Sequence, residues 1–225
     1  MSAGGWLTDM KLPSPYDGYP PKWHVLDQLG PSLFPAAGFK RDLPYARRFG
    51  ARYRFACSVT EVVLKGYASG DTRAGYSALT RLAFTYSAFE SLLALLGVPR
   101  KAAGTVLTKY DVAKWIGHLS AFDPSCAFIR FVESKTEPKH ERAQIALFLA
   151  GKVCDVSAIA AAMRHVFFHG ELTPNAKGVD PNVVCKICEY MIQMLVGVMD
   201  REIEARLGPL ERKPPVAPTG EDIPF

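Results

Sequence analysis

The sequence predicts an all-α fold, an up-and-down bundle of roughly five to seven helices. Three observations predict it. Apolar residues recur at spacings of three and four along several long stretches. Prolines gather at the two ends and leave a body that is almost free of them. No valine- or threonine-rich alternation bounded by hairpin turns occurs, so the strand signal is weak.

Proline placement sets the organisation, because a residue without an N–H marks helix ends. Seven of the 17 prolines lie in residues 1–44 and five in 209–225. The expected organisation is an irregular arm over 1–46, a helical bundle over 47–208 and a flexible Pro-rich tail over 209–225. The arm holds Trp6, Tyr16, Tyr19, Trp23, Leu33, Phe34 and Phe39. That is too aromatic for a free segment, and it is expected to pack on the body.

Within the body, residues 72–97 place Leu79, Leu82, Tyr86, Phe89, Leu93 and Leu96 on one stripe, and Gly97 and Pro99 stop the helix. Asp123-Pro124 and Glu137-Pro138 open two shorter helices. Residues 157–169 form an alanine-rich helix ending at Gly170, whose small side chains let a neighbour approach closely. Residues 181–207 repeat the stripe with Val184, Ile187, Met191, Met194 and Val198. Asp180-Pro181 caps its start, and Gly208-Pro209 is expected to end it.

Composition narrows the class. The 225 residues are 48% hydrophobic and 22% charged, with a net charge of +5. This is ordinary for a soluble globular protein. Apolar runs such as residues 92–98 fall far short of the ~20 needed for a membrane span. The N-terminus lacks the basic-then-apolar pattern of a secretory signal. A membrane protein, a disulfide scaffold and a disordered chain are thereby excluded, and a cytoplasmic location is expected. The odd set of Cys57, Cys126, Cys154, Cys185 and Cys188 points to a reducing compartment. Cys185-x-x-Cys188 matches half of a zinc knuckle, but no second pair follows, and in an apolar helix cysteine behaves as a small hydrophobe.

Residues 163–173 (MRHVFFHGELT) crowd Arg164, His165 and His169 into the last turn of an otherwise alanine and aromatic helix. Polar residues interrupt such a helix only if they are exposed, paired or used. One reading is electrostatic: cations near a helix C-terminus interact favourably with its dipole. A second is a metal site, since His165 and His169 are four apart and share a face, with Glu171, His118 or Glu90 as a third ligand. Arg164 beside the pair disfavours a cation, and no metal or cofactor is expected. A third is RNA cleavage. Arginine offers a fixed fork of donors to a phosphate, and histidine titrates near neutrality. Together they suffice for attack of a ribose 2′-hydroxyl on its own phosphate without a metal.

The segment resembles a known family. Residues 164–169 fit the pattern Arg-x(4–6)-His, with a polar residue after the Arg, that marks the HEPN superfamily (higher eukaryotes and prokaryotes nucleotide-binding domains). Residues 77–97, with Tyr86-Ser87-Ala88-Phe89-Glu90, are similar to the earlier long helix of that family. The order motif helix, His-Gly, loop and long final helix is also similar, so the likeness covers about residues 72–207. It implies an all-α bundle that forms a homodimer. It further implies a metal-independent endoribonuclease acting in a toxin–antitoxin, stress or antiviral setting, with an antitoxin or regulatory protein as a partner. Arg164 then holds the scissile phosphate, His169 is the general base or acid, His165 supports the site, and Glu90 partners Arg164 across the bundle. Some members of the family do not cut and serve as modules that bind nucleotide, RNA or protein, and that alternative predicts Arg164 occupied by Glu90. The segment after the motif, Gly170-Glu171-Leu172, departs from the histidine-then-tyrosine of some toxin members, which bears on toxin identity and not on fold.

Residues 40–54 (KRDLPYARRFGARYR) carry Lys40, Arg41, Arg47, Arg48, Arg52 and Arg54 against Asp42 alone, a local excess equal to the net charge of the whole chain. Tyr45, Phe49, Tyr53 and Phe55 interleave with them. Cations neutralise phosphates and aromatics stack on bases, so Arg47, Arg48, Arg52 and Arg54 are candidate RNA contacts. The competing reading is a solvated first helix whose aromatics turn inward.

Overall fold

A computed structural model describes residues 16–28, 34–66, 69–175 and 178–211. Among these residues the fold is all-α, with no strand. The helices are α1 (Trp23–Gln28), α2 (Leu43–Ser58), α3 (Gly70–Leu96), α4 (Gly104–Leu107), α5 (Val112–Phe122), α6 (Ala127–Lys135), α7 (Lys139–Leu149), α8 (Val156–Phe168) and α9 (Pro181–Glu211), with a 3₁₀ turn at Arg100–Ala102. The two shortest, α1 with 6 residues and α4 with 4, are too brief for periodicity to reveal.

Helix α3 is the hub, packed against α9, α2 and α8. Its start is fixed by Ser69, whose hydroxyl accepts from the Thr72 N–H. All six residues of the predicted stripe are buried. At its end Gly97 adopts φ +69°, the left-handed region open to glycine. The Val98 N–H then donates to the Leu93 carbonyl at 2.8 Å and the Gly97 N–H to the Ala94 carbonyl at 3.1 Å, which satisfies two otherwise orphan acceptors.

Helix α9 buries Val184, Ile187, Met191, Met194 and Val198. It does not stop at Gly208-Pro209 but continues through Pro209 to Glu211. A proline this near the end removes one N–H from the ladder, and Glu211 is held beyond it by Lys22 at 2.8 Å and His24 at 3.3 Å. By length and composition α9 is the one unbroken helix among the described residues that suits a membrane span. The stripe that gives it this composition is the side buried inside the protein.

Helix α8 buries Ala158, Ala160, Ala162 and Met163 where it meets α3 and α7. Asp123 starts α6 through its carboxylate, which accepts from the Ala127 and Phe128 N–H groups. Helix α5 has no proline or glycine at its start; its local signal there is Asp111, which accepts from the Lys114 N–H at 3.0 Å.

The described part of the arm packs on the body. Trp23, Phe34 and Phe39 are buried, and Tyr19 stacks on Trp23 at 5.6 Å. Gly50 of α2 lets the indole in: a Cβ there would lie 2.4 Å from Trp23 Cζ2. Helix α2 begins at Leu43, so helical structure starts before residue 47. Trp6, Leu33 and the tail from 212 lie outside the described residues. Phe49, Tyr86 and Phe89 are almost wholly buried. Each of the two phenylalanines contributes about 1.5–3 kcal/mol through removal from water, which holds α2 and α3 in the core.

Candidate functional site

Arg164 sits one turn before the end of α8 and reaches across to α3. One of its terminal nitrogens is paired with a carboxylate oxygen of Glu90, with the two side chains 30% and 23% exposed. Its guanidinium also lies over the Tyr86 ring, 5.5 Å from the centroid. Tyr86 and Glu90 are four apart, so one face of α3 supplies both contacts. Burial, with the Glu90 charge added to it, pushes the Tyr86 phenol up, which keeps it neutral.

Glu90 has a second cation that the sequence did not single out. Arg100, in the 3₁₀ turn, lies 3.4 Å from the other Glu90 oxygen and 3.5 Å from Glu141 of α7. Two arginines and two carboxylates thus alternate across four elements. Arg100 is ten residues from Glu90, and only the reversal of the chain at Gly97 and Pro99 brings it back. No local spacing rule carries that signal.

His169 is on a different side of α8. Five residues at 3.6 per turn place it about 140° from Arg164. It is the C-cap of α8 and is exposed, with its ring 4.3 Å from that of half-buried His165. Gly170 follows with φ +76°, and the Glu171 N–H closes the helix on the Val166 carbonyl at 3.1 Å. Glu171 pairs with Lys135 at 2.7 Å, and that pairing, with a smaller contribution from His169, holds its carboxyl below the usual range. Among the described residues no group of three His, Cys, Asp or Glu side chains is placed to hold a metal. Cys188 is buried in the core with its thiol pushed well up by desolvation, and all five thiols are free.

The arginines of α2 present a different surface. Arg47, Arg48, Arg52 and Arg54 are all exposed, and among the described residues none of them forms an ion pair. Arg52 donates to the Ser91 hydroxyl at 2.7 Å, beside Glu90 in sequence. Arg48 and Arg41 both lie over the Tyr45 ring, at 5.4 and 5.3 Å from its centroid. Arg54 lies over Tyr19 at 5.3 Å, and Arg47 lines a hollow with Tyr19 and Trp23. The interleaved aromatics divide: Phe49 and Tyr53 turn inward, whereas Phe55 stays 52% exposed. Helix α2 therefore carries four guanidiniums that form no ion pair among the described residues, although Asp27 lines the same hollow as Arg47.

No family model matches the chain, and no curated protein or solved structure is similar to it at a significant level. The HEPN resemblance is an expectation drawn from the sequence motif and the order of the helices.

Proposed function

We propose that this chain is a HEPN-like helical module that binds RNA and does not cut it as a single copy. The observation that supports this reading most is the set of four exposed α2 arginines without acidic partners. Unpaired guanidiniums on one helix attract a polyanion, and each phosphate they neutralise releases a counterion. A second observation bears on chemistry: Arg164 is engaged by Glu90 and lies about 140° around α8 from His169. Within one copy, the Arg164 fork is therefore partly taken by Glu90 and is not aligned with His169.

Metal-independent cleavage by a homodimer is the second reading. It is favoured by the exposed His169 with His165 at its back, and by the N–H donors of Arg164 that Glu90 does not take. A second copy would have to complete the pair, and an antitoxin or regulatory partner belongs to this reading.

One gel separates them. End-labelled RNA is incubated with purified protein in excess EDTA, alongside Arg164→Ala, His169→Ala and the double variant Arg48→Ala/Arg52→Ala. The expected result is a mobility shift without cleavage, retained in the first two variants and weakened in the third. Cleavage that both Arg164→Ala and His169→Ala abolish replaces the module reading with the nuclease. Absence of any shift at low salt overturns RNA binding altogether.

A further inference from the structure

Beside the α2 arginines is a small apolar notch. It holds about 190 Å³ and is lined by Ala51, Arg52, Phe55, Phe84 and Ser87. Phe55 and Phe84 meet edge to face, with centroids 4.8 Å apart and planes at 70°. Phe55 is 52% exposed, one of the few large apolar side chains left in water among the described residues. Arg52 forms one wall, and its terminal nitrogen is held by Ser91. Arg48 lies one turn back along the same flank of α2. Phe55 packs against Phe84 and leaves about half of its surface in water within a run of cations, so an apolar ring face and unpaired positive charge lie side by side.

From this juxtaposition we infer that the notch is a seat for one unpaired nucleobase of single-stranded RNA. The base stacks on the exposed side of Phe55 over the notch, and the flanking phosphates rest on Arg48 and Arg52. This rests on the RNA-binding reading above and narrows it to a substrate class. The apolar wall and the rings recognise a flat π-face, which every base presents. The unpaired cations supply charge complementarity to the backbone. In a duplex the base is stacked and paired, so its face is not available to the notch, and the site discriminates against double strands.

The test is fluorescence anisotropy with a labelled single-stranded 12-mer RNA, its duplex, and a 12-mer of abasic sugar-phosphate. Two variants change the notch and leave every charge in place: Phe55→Ala removes the stacking ring, and Ala51→Leu fills the space without disturbing the Phe55–Phe84 contact. Loss of one base stack on an aromatic side chain is expected to weaken binding of the single strand roughly tenfold in each variant. Binding of the duplex and the abasic strand should be weaker at the outset and unchanged by either variant. Arg48→Ala/Arg52→Ala should weaken all three probes and flatten the salt dependence. Parent-like binding of the single strand by Ala51→Leu overturns the base seat, while retained binding of all probes leaves the RNA-binding reading standing. Failure of every probe to bind sinks both. Vesicles with 30% anionic lipid serve as a competitor, and capture by them in preference to RNA also overturns the proposal.

Discussion

Removing the guanidinium of Arg164 takes away two contacts, and their sizes can be worked from the structure. The first is the pair with Glu90. An exposed pair contributes up to about 1 kcal/mol, whereas breaking a fully buried one costs about 3–5 kcal/mol. At 30% and 23% exposure this pair lies between the limits. Glu90 is not stranded when Arg164 leaves, because Arg100 remains 3.4 Å away. That places the loss near the lower limit, at about 1–1.5 kcal/mol. The second contact is the cation over Tyr86, worth about 0.5–1 kcal/mol. Arg164→Ala is therefore expected to destabilise by about 2 kcal/mol and to lower Tm by roughly 4–8 °C for a chain of this size.

Urea unfolding of Arg164→Ala, Glu90→Gln and the double variant closes a cycle that isolates the pair. A coupling of about 1 kcal/mol is expected, and it should survive added salt better than a surface pair does. A coupling below about 0.3 kcal/mol refutes the reasoning, because the guanidinium is then not held by Glu90 in solution. It would be free for a phosphate, and the balance would move toward the nuclease.

Two further predictions concern the scaffold. Gly50→Ala sets a methyl 2.4 Å from the Trp23 indole, which must move. Overpacking of this kind costs about 1–3 kcal/mol and is expected to lift the arm from α2, read as a red shift of tryptophan emission and a lower urea midpoint. Glu202 is 3% exposed, and burial by itself would raise its pKa. Hydrogen bonds from Lys109, Arg206 and Tyr110 outweigh burial and hold it below the usual range. The stability it contributes is complete above the ordinary glutamate range and is lost as pH falls through the lowered value. Glu202→Gln should flatten the acid limb of the stability–pH curve, and an unchanged limb would show that the lowered pKa is not felt in folding.

The sequence by itself determined the fold class and most helix limits, because these are local. The three- and four-residue stripes of α3 and α9 named the buried faces. Asp180, Gly97 and Gly170 marked ends through caps that need only near neighbours. Where local rules met a tertiary contact they lost: Pro209 reads as a stop, yet the helix runs past it to where Lys22 and His24 hold Glu211.

The site divides in the same way. The motif residues and the arginines of α2 were legible because charge in an apolar or aromatic run stands out in one dimension. The Arg164–Glu90 pair was named beforehand through the family resemblance; the pairs of Arg100 with Glu90 and Glu141 were not, since pairing depends on how helices distant in sequence are set against one another. Tertiary packing decided that Arg164 meets Glu90 and not His169, that Arg100 folds back onto the same carboxylate, and that of four α2 aromatics Phe55 stays in water beside Phe84. A helical sequence fixes the angle between its own side chains; the partner each one finds is fixed only when the bundle closes.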